Sequence, residues 1–157
     1  MNILQIEGYI GSYAHNFAVE LRESLQDSYI VNHNYNLVTK DPLEHAYRIL
    51  KVRDYARDAG VKYLVELYGL LTPYAESKLT GRFEDQLEEL ISNEERDTLL
   101  LFFNLDIPAG IYNYSFYVEK KRIVLNNMMY YKSVMLVRNE KEAKIKYVKN
   151  MMSELGI

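Results

Sequence analysis

Few side chains in this sequence are placed to do chemistry, and they are scattered. His15, His33 and His45 are its three imidazoles and cysteine is absent, which excludes thiol nucleophiles, disulfides and thiolate zinc sites. The histidines lack metal-ligand spacing, and Glu44 and His45, though adjacent, point to different sides of a helix, so no metal site is expected. Gly8 and Gly11, in QIEGYIGSYAHNF (5–17), sit between an apolar run and an amphipathic segment. That is the layout of a nucleotide-binding turn, in which the amides and positive dipole end of the following helix can receive an anion. The run Asn32-His33-Asn34-Tyr35-Asn36 follows an expected strand, and in open α/β sheets ligands lie beyond the carboxyl ends of strands. Gly8, Gly11, Ser12, His15, His33 and Asn34 are therefore the candidate ligand contacts. Glu84, Asp85, Glu88 and Glu89 crowd together as on a solvated face, so no acid–base pair can be chosen among them. No serine lies in a Gly-x-Ser-x-Gly elbow. No catalytic residue is identified, no cofactor is implied, and a non-enzymatic role is favoured.

The stretch IEGYIGS (6–12) resembles the start of the phosphate-binding loop of the deoxynucleoside kinases and their P-loop relatives. There, a strand ending in an apolar residue and Glu-Gly leads into Gly-Ser-Gly-Lys-Ser/Thr. The resemblance covers roughly a dozen residues and implies a strand–turn–helix unit with a phosphate site at the turn. Laid on Gly-x-x-x-x-Gly-Lys-[Ser/Thr] from Gly8, the second glycine falls on Tyr13, the lysine on Ala14 and the hydroxyl residue on His15. The glycine lets amides wrap the phosphates, the lysine neutralises them and the hydroxyl holds magnesium. With all three replaced, the turn is expected to be structural, and any anion there to be held without catalysis.

These residues need elements to position them. Residues 2–7 read as a strand, and Ala14, Phe17, Ala18, Leu21 and Leu25 form one helical stripe with Ser12 as N-cap. Residues 28–38 read as a second strand. Asp41-Pro42 opens a helix that runs to Ala59, with inward Ile49, Val52, Ala56 and Ala59, and Gly60 stops it. Residues 61–71 are expected as a strand from the flanking Gly60 and Thr72-Pro73, and 74–96 as a helical region with Phe83, Leu87, Leu90 and Ile91 on one face. The run 98–105 is apolar on both parities, as in a strand buried on both faces. Residues 112–137 read as an antiparallel meander turning near Glu119-Lys120-Lys121 and Asn126-Asn127. A terminal helix follows, with Asn139 and Glu142 spaced as a capping box and Ile145, Val148, Met152 and Leu155 as its stripe. The fold class is α/β: a three-layer single domain over 1–157 with a mixed sheet, parallel βα units first and the meander plus terminal helix last. The alternative is α+β, if 61–71 or 98–105 proved helical.

Composition bounds the remaining classes. With 48% hydrophobic and 26% charged residues and no apolar run of about 20, a membrane partner is excluded. The first residues lack a signal-peptide pattern, so a cytoplasmic location is expected. A net charge of −3 gives no global field for a polyanion. Basic residues gather modestly as Arg48, Lys51, Arg53 and Arg57, as Lys120, Lys121 and Arg122, and as Lys141, Lys144, Lys146 and Lys149, so nucleic acid is not favoured as a partner. The 15 tyrosines, with no tryptophan, fit AT-rich codon usage of the kind found in a phage or mobile element, and also fit a contact surface. On the meander reading, Tyr114, Tyr117, Met128 and Tyr130 form that surface. The favoured function is a non-catalytic interaction or regulatory protein acting by self-association or on a protein partner. The alternatives are a small-molecule or nucleotide-binding domain with a degenerate glycine turn at 8–15, and an enzyme with dispersed residues.

Overall fold

A strand apolar on both parities must be covered on both faces, and the sheet is built around two of these. The computed structural model describes residues 1–8, 12–33, 41–93, 98–103, 114–126, 131, 133–137 and 144–157. Its strands are β1 (Asn2–Gly8), β2 (Ser28–Asn32), β3 (Tyr63–Leu67), β4 (Thr98–Phe103) and β5 (Ser133–Val137). They form one sheet in the order β2-β3-β1-β4-β5, and each pairing is parallel. β4 is buried along its whole length and β1 from Ile3 onward.

The helices are α1 (Ser12–Glu23), α2 (Pro42–Asp58), α3 (Leu71–Thr80), α4 (Glu84–Ser92), α5 (Tyr114–Asn126) and α6 (Ile145–Glu154). One face of the sheet is covered by α1 and α6. Ala14, Phe17, Ala18 and Leu21 meet Val148 and Met152 over Leu4, Ile6, Val65 and Leu101. The other face carries α2 to α5, with Ala46, Ile49, Tyr74, Leu87, Tyr117 and Ile123 over Leu100 and Phe102. The three-layer α/β class holds, and both stretches on which the α+β alternative depended, 61–71 and 98–105, contain strands.

Two expectations are corrected. The antiparallel meander over 112–137 is absent: α5 takes Tyr114–Asn126, and β5 runs parallel to β4 from Leu99↔Ser133 to Phe103↔Val137. The described sheet is therefore parallel throughout, not mixed. Residues Tyr117, Lys120, Ile123 and Val124 are all buried and recur at helical spacing, with a lysine interrupting what would otherwise read as an apolar stripe. The single helical region 74–96 is two helices, divided at Gly81 and Phe83, both with left-handed backbone (φ 70° and 59°). The capping-box pair Asn139 and Glu142 lies outside the described residues.

The connections fix where a ligand can sit. α1, which follows β1, packs on one face, whereas α3 and α5, which follow its neighbours β3 and β4, pack on the other. Adjacent strands whose connections leave to opposite faces open a crevice at their carboxyl ends. β1 has such a neighbour on each side.

Candidate functional site

Only residues 9–11, outside the described set, separate Gly8 from α1, so positions 12–15 are already helical. Ala14 is buried in the core and His15 is exposed. Neither supplies a cation or a metal-binding hydroxyl where the kinase loop would. Gly8 has φ 101°, and a Cβ there would lie 2.5 Å from the carbonyl oxygen of Phe103, its partner in the β1–β4 register. Glycine is required for close strand approach, whatever the turn does beyond it.

The polar chemistry lies instead on the side facing α2 to α5. Glu7 and Glu66 are each fully buried, near the carboxyl ends of β1 and β3, and each is matched by a cation from the helical layer. Arg53 of α2 grips Glu66 with both arms, Nε donating to Oε1 at 2.8 Å and Nη2 to Oε2 at 2.9 Å. His33, the residue after β2, adds its Nε2 to the same Oε1 at 3.3 Å. Burial alone would raise the Glu66 carboxyl. The charge and hydrogen bonds of Arg53, with those of His33, overcome it and hold the group down at about 2.

The second centre knots three segments together. Lys120 of α5, itself buried, places Nζ 3.0 Å from Glu7 Oε2. The Gly69 amide donates to Glu7 Oε1 at 2.7 Å, and Thr72 Oγ1 donates to Oε2 at 3.0 Å. Glu7 therefore ties β1 to the segment that leads into α3, whose N-cap residue Leu70 makes no side-chain cap bond. Gln5 Nε2 also donates to Glu7 Oε1, at 3.2 Å. Tyr68, with left-handed backbone at φ 65°, brings its ring under Lys120 Nζ at 4.7 Å. Burial, and then the charge of Glu7, push its hydroxyl up to about 12.

His45 of α2 borders this network. Burial first, then the nearby His33, lower its pKa to about 4; Lys120 and Arg48 act in the same sense, and a hydrogen bond to the His33 backbone opposes them. This gives an acid-stability prediction. Unfolded His45 takes up a proton from pH 6.5 and folded His45 only near 4, so stability is lost as pH falls across that window. Glu66, lowered from 4.5 to about 2, adds a second loss as pH falls through those values. The unfolding free energy from urea denaturation between pH 7 and 3 should decline from about pH 6.5, with a slope of up to about 1.4 kcal/mol per pH unit for one proton. In His45→Gln the decline should begin near pH 4.5 instead.

Of the residues singled out in the sequence, the structure brings His33 into this network and leaves His15 away from it, exposed on α1. Ser12 opens α1 and Tyr114 opens α5; Gly11, Asn34, Met128 and Tyr130 lie outside the described residues. Tyr117 is corrected as a contact residue: it is buried, its ring stacked on Phe102 with centroids 6.1 Å apart. Within the basic clusters Arg48 pairs with Glu44, Arg57 with Asp54 and Arg122 with Glu119. Among the described residues no group of three or more histidine, cysteine or acidic side chains is placed to hold a metal, and no helix is long and apolar enough to cross a membrane. Sequence reasoning missed Glu7, Arg53, Glu66 and Lys120. The available signal was a carboxylate on a buried parity in each of two apolar strands, ILQIE and YLVEL.

The fold is similar to that of a solved thymidylate kinase from Candida albicans, with a TM-score of 0.63 and 14% identity, over 98% of this chain and 90% of that one. At that identity the likeness shows the fold alone. No protein-family model and no curated protein matches the sequence.

Proposed function

We propose that this protein binds a small molecule of nucleoside or nucleotide type at the carboxyl edge of its sheet and does not transfer phosphoryl groups. The observation that carries this reading is the convergence of Glu7, His33, Glu66, Tyr68 and Lys120 beside the switch-point crevices of β1. The likeness to a nucleotide kinase fold supports the ligand class. The residues at 13–15 argue against the reaction, because no lysine or hydroxyl stands where the outer phosphates and magnesium would be held. The protein should give saturable, magnesium-independent thermal shifts with one or more of thymidine, uridine, adenosine and their 5′-monophosphates, and no transfer from ATP to any of them. Magnesium-dependent ATP turnover would refute the second half of the proposal. Silence across the whole panel at millimolar concentration would refute the first.

A further inference from the structure

Glu66 decides which nitrogen of His33 carries the proton. A carboxylate gripped at both oxygens by a guanidinium can only accept, so the ring nitrogen 3.3 Å from Oε1, Nε2, must be the donor. In neutral His33 this leaves Nδ1 as a bare lone pair. The imidazole is held from both ends: its own backbone amide donates to Leu67 O at 3.0 Å, and Arg53, 1% exposed, locks the carboxylate it leans on. Side chains oriented by a second group that is itself fixed by a third are how proteins aim an imidazole. His33 retains 8% exposure and stands one residue beyond the end of β2, on the edge where a ligand would lie.

The charges nearby bear on what that ligand is. Arg53 and Lys120 are each committed to a buried carboxylate, Glu66 and Glu7, so the two centres are close to neutral as units. Among the described residues of this network, a phosphate would meet two carboxylates and an imidazole lone pair, and gain no cation without breaking a buried ion pair. A hydroxyl or amide N–H meets an acceptor of the right kind.

Resting on the ligand-binding reading above, we infer that His33 is the hydrogen-bond acceptor of the carboxyl-edge site, and that through Nδ1 it selects a neutral ligand offering an O–H or N–H group: a nucleoside in preference to its phosphate.

The test uses the intact protein, ¹⁵N-labelled at histidine, with uridine, thymidine, adenosine and their 5′-monophosphates as probes. Long-range proton–nitrogen spectra of the free protein should show His33 protonated at Nε2 and bare at Nδ1. A saturating nucleoside should move the Nδ1 resonance toward hydrogen-bonded values, a change that a purely structural histidine would not show. His33→Gln keeps a donor for Glu66 and has no acceptor in the place of Nδ1, so it should stay folded and bind the nucleoside about tenfold more weakly. His33→Asn, whose side-chain oxygen can replace Nδ1, should recover part of that loss. The Nδ1-protonated tautomer, or an Nδ1 resonance unmoved by bound nucleoside, would overturn the inference even if His33→Gln failed to fold. Tighter binding of a monophosphate with no effect of His33→Gln would also overturn it, yet leave the wider ligand-binding reading standing. No binding by any probe would remove both.

Discussion

Arg53→Met should destabilise the protein by about 3–5 kcal/mol, because it leaves the Glu66 carboxylate buried with only His33 for company. Glu66 is fully buried and Arg53 is 1% exposed, so water cannot take over the lost contacts. The double replacement Arg53→Met with Glu66→Leu should regain most of that loss, since a well-packed apolar pair often matches a buried ion pair. Urea denaturation of the two single variants and the double, at pH 7, completes the cycle. A single-variant cost below about 1 kcal/mol, the range of an exposed pair, would show that the bidentate contact does not hold this part of the fold.

Gly8→Ala should be comparably severe. The backbone at φ 101° strains any L-residue by about 1–3 kcal/mol, and the new methyl would lie 2.5 Å from a backbone oxygen of β4, adding about 1–3 kcal/mol for overpacking. The sum, roughly 2–6 kcal/mol, should appear as a lower denaturation midpoint whether or not a ligand is present. A variant of normal stability that had lost ligand affinity would mean instead that Gly8 serves the turn and not the β1–β4 approach.

The apolar frame of this fold was legible in the sequence, and the reasons are local. In α1 the stripe Ala14, Phe17, Ala18 and Leu21 is buried as its spacing requires. In α6, Val148 and Met152 are buried, with Ile145 and Leu155 packed beside them. β4 is apolar on both parities and covered on both faces. What failed depended on partners far along the chain. Lys120 read as the tip of a hairpin because a lysine in an apolar stripe breaks the helical period; its partner Glu7 is 113 positions away (120 − 7), and without that partner α5 looks like two strands and a turn. Arg53 read only as one member of a modest basic cluster, although with Ala46, Ile49 and Ala56 it lines the buried face of α2; its partner Glu66 lies in the next strand. The inward set proposed for that helix, Ile49, Val52, Ala56 and Ala59, drifted outward at its end: Ala59 is exposed. The same two cations, paired with Glu66 and Glu7, form the candidate site. His33 was singled out for its place after a strand; its partners were not, because burial of a charge is a tertiary property and leaves no local periodicity.

The position of β1 in the middle of a parallel sheet also has a consequence during synthesis. Its backbone hydrogen bonds are made to β3, beginning at Asn2↔Tyr63, and to β4, beginning at Ile3↔Thr98, and no described strand between β1 and β3 other than β2 precedes them. At about 5–20 residues per second, a ribosome needs roughly 5–20 s to add the 95 residues (98 − 3) between Ile3 and its second partner. Until β3 is added ILQI, which is completely buried in the finished molecule from Ile3 to Ile6, has neither of its neighbours, and from then until Thr98 it has β3 alone. A nascent chain halted before Thr98 should therefore hold β1 open to chaperones, and one extended past Phe103 should release it.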